Sequence, residues 1–274
     1  MIKKLTYKII TIIFGNFGKL VITKTKSFIS LDWLRDRLFK RTISIKKKDK
    51  LFFKVYDVGQ SSSLRAKKFF RSEPDTLEFI DLFKHNSTFV DCGANIGLYS
   101  LYAASLGHKV FSFEPESSNF YLLNSNILLN SFNEKIKAYP IALNNSNDVD
   151  QLYISKFEWG GSCHTFGRNL DFNLNKFEPN FVQGSISMPL DIFCKNLKIN
   201  VDYLKIDVDG NELFVIEGMT NLLKEKSIKK ILVELNLNLK EHQEVKNLMI
   251  KYGYEIENQK KNKVNENLIF SIKN

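Results

Sequence analysis

The stretch from Thr88 to Gly97 constrains this chain more than any other. Phe89 and Val90 make an apolar strand end, Asp91 stands where the strand runs out, and Gly93 and Gly97 bracket a tight turn. A helix-like run from Ile96 to Leu106 follows at once. Strand, glycine turn and helix in succession put free backbone N–H groups and a helix N-terminus beside one cleft. Seventeen residues after Gly97 a second strand, Lys109 to Phe113, ends in Glu114 and Pro115. An acid at that strand end can accept hydrogen bonds from both hydroxyls of a ribose. Together the two strand ends describe a pocket for an adenosine-type ligand.

The spacing selects among such ligands. In the dinucleotide fingerprint G-x-G-x-x-G, the middle glycine lets the backbone close on a pyrophosphate. Here the turn reads Gly93, Ala94, Asn95, Ile96, Gly97, with Asn95 at the middle-glycine position. A side chain there blocks close approach to a diphosphate and suits a ligand with a small charged amino-acid tail. Asp91 would repel phosphate and attract an ammonium or a sulfonium. S-adenosylmethionine carries both, together with a ribose for Glu114, so the electrostatics favour it over a nicotinamide dinucleotide.

From Thr88 onward strands and helices alternate. Strands are predicted at 88–92, 109–113, 136–140, 202–207 and 229–235, with helices at 96–106, 116–130, 210–224 and 238–251. Segments 254–257 and 268–272 close the sheet, Leu51 to Val58 reads as a strand, and Pro74 to Lys84 reads as a helix. This alternation implies an α/β domain, a mostly parallel sheet with helices on both faces. Residues 155–187 interrupt it with turns and aromatics, including Trp159, Gly160, Gly161, Cys163, His164, Phe166, Phe172, Phe177 and Phe181. Long loops at the carboxyl end of a parallel sheet commonly supply substrate contacts. The insertion therefore either borders an acceptor pocket or uses its phenylalanines only to anchor itself. Met188, Pro189, Leu190 and Asp191 then open another helix, with proline in its first turn.

Charge divides the chain at residue 54. Residues 1–54 hold fifteen Lys or Arg against Asp32, Asp36 and Asp49, a balance of +12. The whole chain carries +10, so residues 55–274 sum to −2. A nucleic-acid substrate would call for basic groups around the cleft itself, so none is expected as a partner. The basicity belongs to an extension with two short apolar runs, Ile9 to Phe14 and Leu20 to Ile22, neither near the roughly 20 residues that span a bilayer. It reads as a helical cap on the domain or as a basic amphipathic segment on an anionic membrane surface. Cys92, Cys163 and Cys194 form no C-x-x-C pair, which places the protein in a reduced, cytoplasmic setting.

Four segments in order give the chain a family likeness. The run from Val90 to Ser100 resembles the first motif of FkbM-family methyltransferases, a branch of the class I S-adenosylmethionine-dependent enzymes. Phe113, Glu114 and Pro115 resemble the ribose-binding motif. Tyr139 to Leu143 resembles the segment whose alanine, here Ala142, lies near the adenine ring. Leu204 to Glu212 resembles the signature K-I-D-V-E-G-x-E, with Asp209 where the family usually has Glu. The likeness runs from about residue 73 to 236. It implies a Rossmann-like class I methyltransferase fold with a seven-stranded sheet whose last strand is antiparallel. It also implies that Asp91, Gly93, Ala94, Asn95, Gly97, Glu114, Pro115, Ala142 and Asp207 bind S-adenosylmethionine, and that methyl transfer goes to oxygen on a sugar, glycan or lipid-linked acceptor.

Transfer of a methyl group to a hydroxyl also needs a route for the hydroxyl's proton. Asp207 ends the apolar strand Tyr203 to Ile206 and points into the cleft. Glu234 and Asn236 flank the end of the next strand and face the same side. Two carboxylates and an amide oxygen could also hold a divalent ion, although the resembled family does not generally require one and no metal is assigned. Asp207, Glu234 and the loop residue His164 are the candidate catalytic groups, with helix capping the competing role for Asp207 and Asp209. Two other functions stay open on residues alone: an NAD or nucleotide-sugar oxidoreductase, and a non-catalytic glycan-assembly factor at the membrane.

Overall fold

The computed structural model describes residues 41–257 and 265–272. Residues 1–40, the bulk of the basic extension and both of its apolar runs, lie outside the described residues. The chain opens with an antiparallel hairpin, β1 (Thr42–Lys47) and β2 (Lys50–Tyr56). This hairpin straddles residue 54, where the charge pattern divides the sequence. Phe53 and Val55 are buried, and Phe53 meets Phe69 edge to face, so the hairpin is packed into the body that follows. Helix α1 (Gln60–Ser72), which the sequence pattern does not announce, comes next, then α2 (Pro74–Asp81) with proline in its first turn.

The main sheet uses β3 (Thr88–Cys92), β4 (Lys109–Phe113), β5 (Ile136–Tyr139), β10 (Tyr203–Ile206), β11 (Lys230–Asn236), β12 (Tyr254–Ile256) and β13 (Asn265–Ile272). Their order is β12-β13-β11-β10-β3-β4-β5. The ladders among β11, β10, β3, β4 and β5 are parallel. β13 runs antiparallel to both β11 and β12, so the sheet is mixed, with one strand reversed.

Alternation along the strands sends their side chains to two faces. Val90, Cys92, Leu204, Ile206, Ile231 and Val233 pack with Leu190, Phe193, Leu213, Ile216, Val245 and Met249 in one apolar cluster. Those partners come from α5 (Leu190–Leu197), α6 (Glu212–Glu217) and α8 (Lys240–Lys251). Phe89 and Tyr203 turn the other way. Phe83, just past α2, stacks on Tyr203 at 4.0 Å and meets Phe89 at 5.2 Å, and Phe79 of α2 meets Tyr203 edge to face. Helices therefore cover both faces, as the alternation predicts.

Two predicted segments differ. The helix read as 210–224 is two pieces, α6 and α7 (Thr220–Lys224). The break falls at Gly218, where a Cβ would lie 2.1 Å from the Asn144 carbonyl oxygen, so another segment crosses too closely for a regular helix with side chains. Asp191, read as a starter of its own helix α5, instead accepts the N–H groups of Asn221 and Leu222 at 2.8 and 3.0 Å and so caps α7. The insertion is likewise more ordered than a turn-rich loop. β6 (Ala142–Leu143), β7 (Val149–Ile154), β8 (His164–Phe166) and β9 (Phe181–Met188) form a second sheet in the order β6-β9-β7-β8. Its core is Ala142, Leu152, Ile154 and Phe166.

Candidate functional site

The carboxyl ends of β3, β4, β10 and β11 meet at one edge of the sheet. Helix α3 (Leu98–Ser105) leaves the glycine turn there, and α4 (Ser117–Leu129) leaves Glu114 and Pro115. The turn is tight because it must be: a Cβ on Gly93, whose φ is +81°, would come 1.8 Å from the Asp207 carbonyl oxygen. Only glycine permits that close approach of β3 and β10.

The expectation of free N–H groups in this turn is corrected by the structure. Gly93 and Ala94 both donate to the Phe113 carbonyl at 3.0 and 2.9 Å, and Gly97 donates to Ala94. Asn95 donates its N–H to Glu114 Oε2 at 2.7 Å, and Ile96 donates to the side-chain oxygen of Asn95. Buried N–H groups seek the nearest acceptor, and a turn this tight brings the acceptors of its own neighbours within reach. Asn95 adopts a left-handed backbone at φ +51°, a conformation asparagine tolerates. Its side-chain N–H group reaches Gly161 of the insertion at 2.6 Å.

Four acids stand at these strand ends, each in a different environment. Asp91 is fully buried, accepts the Ser100 hydroxyl at 2.5 Å through Oδ2, and keeps Oδ1 without a hydrogen-bond partner. Burial pushes its pKa up, while Lys205 and Ser100 oppose the rise. Glu114 accepts the N–H groups of Asn95 and Glu116, and burial raises it to about 8. Burial opposes charge on Asp207 too, but the Lys205 ammonium at 2.7 Å and a hydrogen bond with Glu234 hold its carboxyl below the usual range. Glu234 answers in the opposite sense: the charge on Asp207, then burial, lift it to about 9. Asp207 and Glu234 therefore hold one proton between them at neutral pH, on Glu234.

The insertion is fastened across this edge. Gly160 N–H donates to Asn119 Oδ1 at 2.7 Å, and Asn119 Nδ2 donates back to the Gly161 carbonyl at 3.1 Å. Arg65 of α1 donates to the Gly160 carbonyl at 2.8 Å. Cys163 N–H donates to Asp209 Oδ2 at 2.6 Å, and Asn211 donates to the Phe166 carbonyl at 2.9 Å. Asp209, with φ +55°, therefore latches the insertion and is not a helix cap; Glu212 holds its own loop by accepting from Val208 and Gly210. Burial and the nearby Asp207 raise Asp209 to about 7.

The remaining candidates fall around this frame. The Pro115 carbonyl accepts from Gln183 of β9 at 2.8 Å. Ala142 pairs with Ser187 and packs into the second sheet. His164 starts β8, its two ring nitrogens buried without partners; burial lowers it to about 4, and Glu116 and Arg65 are its charged neighbours. Asn236 donates its N–H to His242 Nδ1 at 2.7 Å, and its side chain donates to Asn173. The structure adds Lys205, Glu73 and Asn119 to this edge, three residues the sequence pattern does not single out as site residues. For Lys205 the signal was present, a lone lysine inside the apolar run Tyr203 to Ile206.

A parallel α/β sheet of this order with one reversed strand, and acids closing the first two strand ends, defines a class I methyltransferase fold. The family model for the methyltransferase FkbM domain matches residues 91–256, and the chain belongs to that family. Its cofactor is S-adenosylmethionine. Three similar solved structures are far relatives in sequence. Aeropyrum pernix fibrillarin with natively bound S-adenosyl-L-methionine is 11% identical, with TM-score 0.44 over 73% of this chain and 75% of that one. Ribosomal protein L11 methylase from Lactobacillus delbrueckii subsp. bulgaricus is 12% identical, with TM-score 0.44 over 73% and 77%. M. capricolum TrmK in complex with S-adenosyl-homocysteine is 11% identical, with TM-score 0.39 over 72% and 67%. No curated protein matches the chain.

The residues present fit that cofactor. Asp91 Oδ1 is a buried acceptor without a donor, which suits an ammonium group. Glu114 lies at the β4 end with one N–H on each oxygen, so each oxygen retains a lone pair for a hydroxyl. When bound, S-adenosylmethionine supplies an electrophilic methyl group on sulfur.

Proposed function

We propose that this protein transfers a methyl group to a hydroxyl oxygen of a sugar, glycan or glycolipid. The observation that carries the reading is the Asp207–Glu234 pair at the ends of β10 and β11. Asp207 is ionised, a quarter of its side chain is exposed, and it can accept the proton of an approaching hydroxyl. Base assistance of this kind is worth roughly 100- to 10,000-fold in rate. Alignment of acceptor and methyl group contributes more, on the order of 7–11 kcal/mol in favourable cases. Asp207 takes the proton, Glu234 donates a hydrogen bond that fixes the accepting oxygen, and the latched insertion borders the acceptor. His164, neutral and facing into the insertion, is suited to an acceptor contact and not to proton transfer at neutral pH.

The electrostatics support a neutral acceptor. Asp91, Asp207 and Glu73 face one buried lysine, with Arg65 the further cation near Asp207, so acids outnumber bases, an arrangement that disfavours a phosphate backbone. The sugar hydroxyl has no such penalty. Among the described residues no helix is long and apolar enough to cross a membrane. We place the protein in the cytoplasm, with residues 1–54 available for peripheral contact with an anionic membrane carrying a lipid-linked acceptor. Incubation with labelled S-adenosylmethionine and extracted cell-surface glycans is the direct test. Label on a base-stable methyl ether, abolished by Asp207→Ala, supports the reading. Label on an amine or a nucleic acid overturns it, and cofactor binding without transfer to any extract favours a non-catalytic assembly role.

A further inference from the structure

No step above uses Lys205. It sits in the middle of β10 with 1% of its surface exposed, and a lysine is almost never fully buried without a partner. Its Nζ lies 2.7 Å from Asp207 Oδ2 and 5.3 Å from the centre of the Tyr99 ring. In the parallel ladder Lys205 is the direct partner of Asp91, so both side chains leave the sheet on the same face. Glu73, between α1 and α2, and Glu234 of β11 also interact with it, and Arg65 of α1 adds a positive charge near Asp207. One cation therefore stands between an acid on the cofactor side and an acid on the acceptor side. With Asp91 fully buried and Asp207 largely so, removing the cation between them favours a proton on Asp91, the deeper of the two.

We propose that Lys205 is a positioning residue that keeps Asp91 and Asp207 ionised at the same time, one for the cofactor's ammonium and one for the acceptor's proton. The second half rests on the role given to Asp207 above. The first half does not, because it concerns cofactor binding alone. With the lysine in place, S-adenosylhomocysteine meets an Asp91 that is already charged. Without it, Asp91 is protonated beforehand and must release its proton as the ammonium arrives.

Calorimetric titration of S-adenosylhomocysteine in buffers of different ionisation heat counts that proton. At neutral pH we expect little net exchange for the native chain. Lys205→Met should release about one proton on binding and bind about tenfold more weakly, with affinity recovering as pH rises. Lys205→Arg should restore the native proton count. Should Lys205→Met fail to fold, Lys205→Met with Asp207→Asn removes both charges of the buried pair together and still tests the point. Proton release in this double variant supports a role toward Asp91. Binding with the native proton count, in either the single or the double variant, overturns the proposal. None of these readouts needs an acceptor, so they can succeed even if the acceptor is not a sugar.

Discussion

The β3–β4 and β10–β11 ends of the sheet hold their acids by different means. On the β3–β4 side, Asp91 and Glu114 accept hydrogen bonds from neutral donors only, the Ser100 hydroxyl for one and backbone N–H groups for the other, and Lys205 acts on Asp91 without a direct hydrogen bond. On the β10–β11 side, Asp207 is held by a lysine 2.7 Å away, and Glu234 by Asp207. Burial is common to all four, yet Asp207 alone falls below its ordinary range. A neutral donor softens the cost of burying a carboxylate, whereas a full positive charge at contact distance reverses it. The side that must bind the cofactor keeps one acid with a free buried oxygen for an ammonium, Asp91, and one braced by backbone N–H groups for the ribose, Glu114. The side that must accept a proton keeps an acid already charged.

The strongest way to break this contrast is to remove its charged member. Asp207→Ala should lower turnover by roughly 100- to 10,000-fold while S-adenosylhomocysteine affinity changes far less. The same change leaves the Lys205 ammonium buried without its partner, at a cost of about 3 kcal/mol in stability, readable by denaturant unfolding. Equal losses in turnover and affinity would make Asp207 a binding residue. Next comes the other side: Glu114→Ala should weaken cofactor binding by more than about tenfold by calorimetry, since two hydroxyl contacts and the brace on Asn95 go together. Unchanged affinity would remove Glu114 from the pocket.

The pH dependence of stability sharpens the contrast within one molecule. Glu114 and Glu234 have folded pKa values of about 8 and about 9, above the ordinary carboxylate value. Between those values the folded state binds more protons than the unfolded state, so their contribution to stability is lost as pH rises from about 5 to 9. Asp207 runs the opposite way: its contribution is present above the ordinary aspartate pKa and lost on acidification. Melting temperatures across pH should therefore fall on the alkaline side, and Glu234→Gln and Glu114→Gln should each flatten that limb. A limb unchanged in both variants would contradict the assignment. The smallest effect concerns the insertion. Asn119→Ala removes two hydrogen bonds to Gly160 and Gly161 and should cost about 1–2 kcal/mol, with faster proteolysis near residue 160.

The sheet was readable because its signals are local. Strands 88–92 and 109–113 are found at the predicted bounds, since apolar runs ended by glycine or by an acid and proline need no distant partner to be recognised. The pattern over 210–224 does not announce the break at Gly218, because Asn144, more than seventy residues away, imposes it. The insertion hid its strands for a similar reason. β9 pairs with β6 and β7 across a gap of about thirty residues, and its alternation is blurred by exposed Phe181, Val182 and Ile186.

The site divides along the same line. Which acids stand at strand ends, and that a glycine turn lies beside them, is written in the order of residues, because strand alternation and the turn requirement act over a few positions. Which of those acids carries a proton is not. That depends on Lys205 meeting Asp207 from the same strand and Asp91 from its neighbour, and on Asp209 turning away to Cys163. Charge states are set by distance and burial in three dimensions, and only the assembled sheet fixes both.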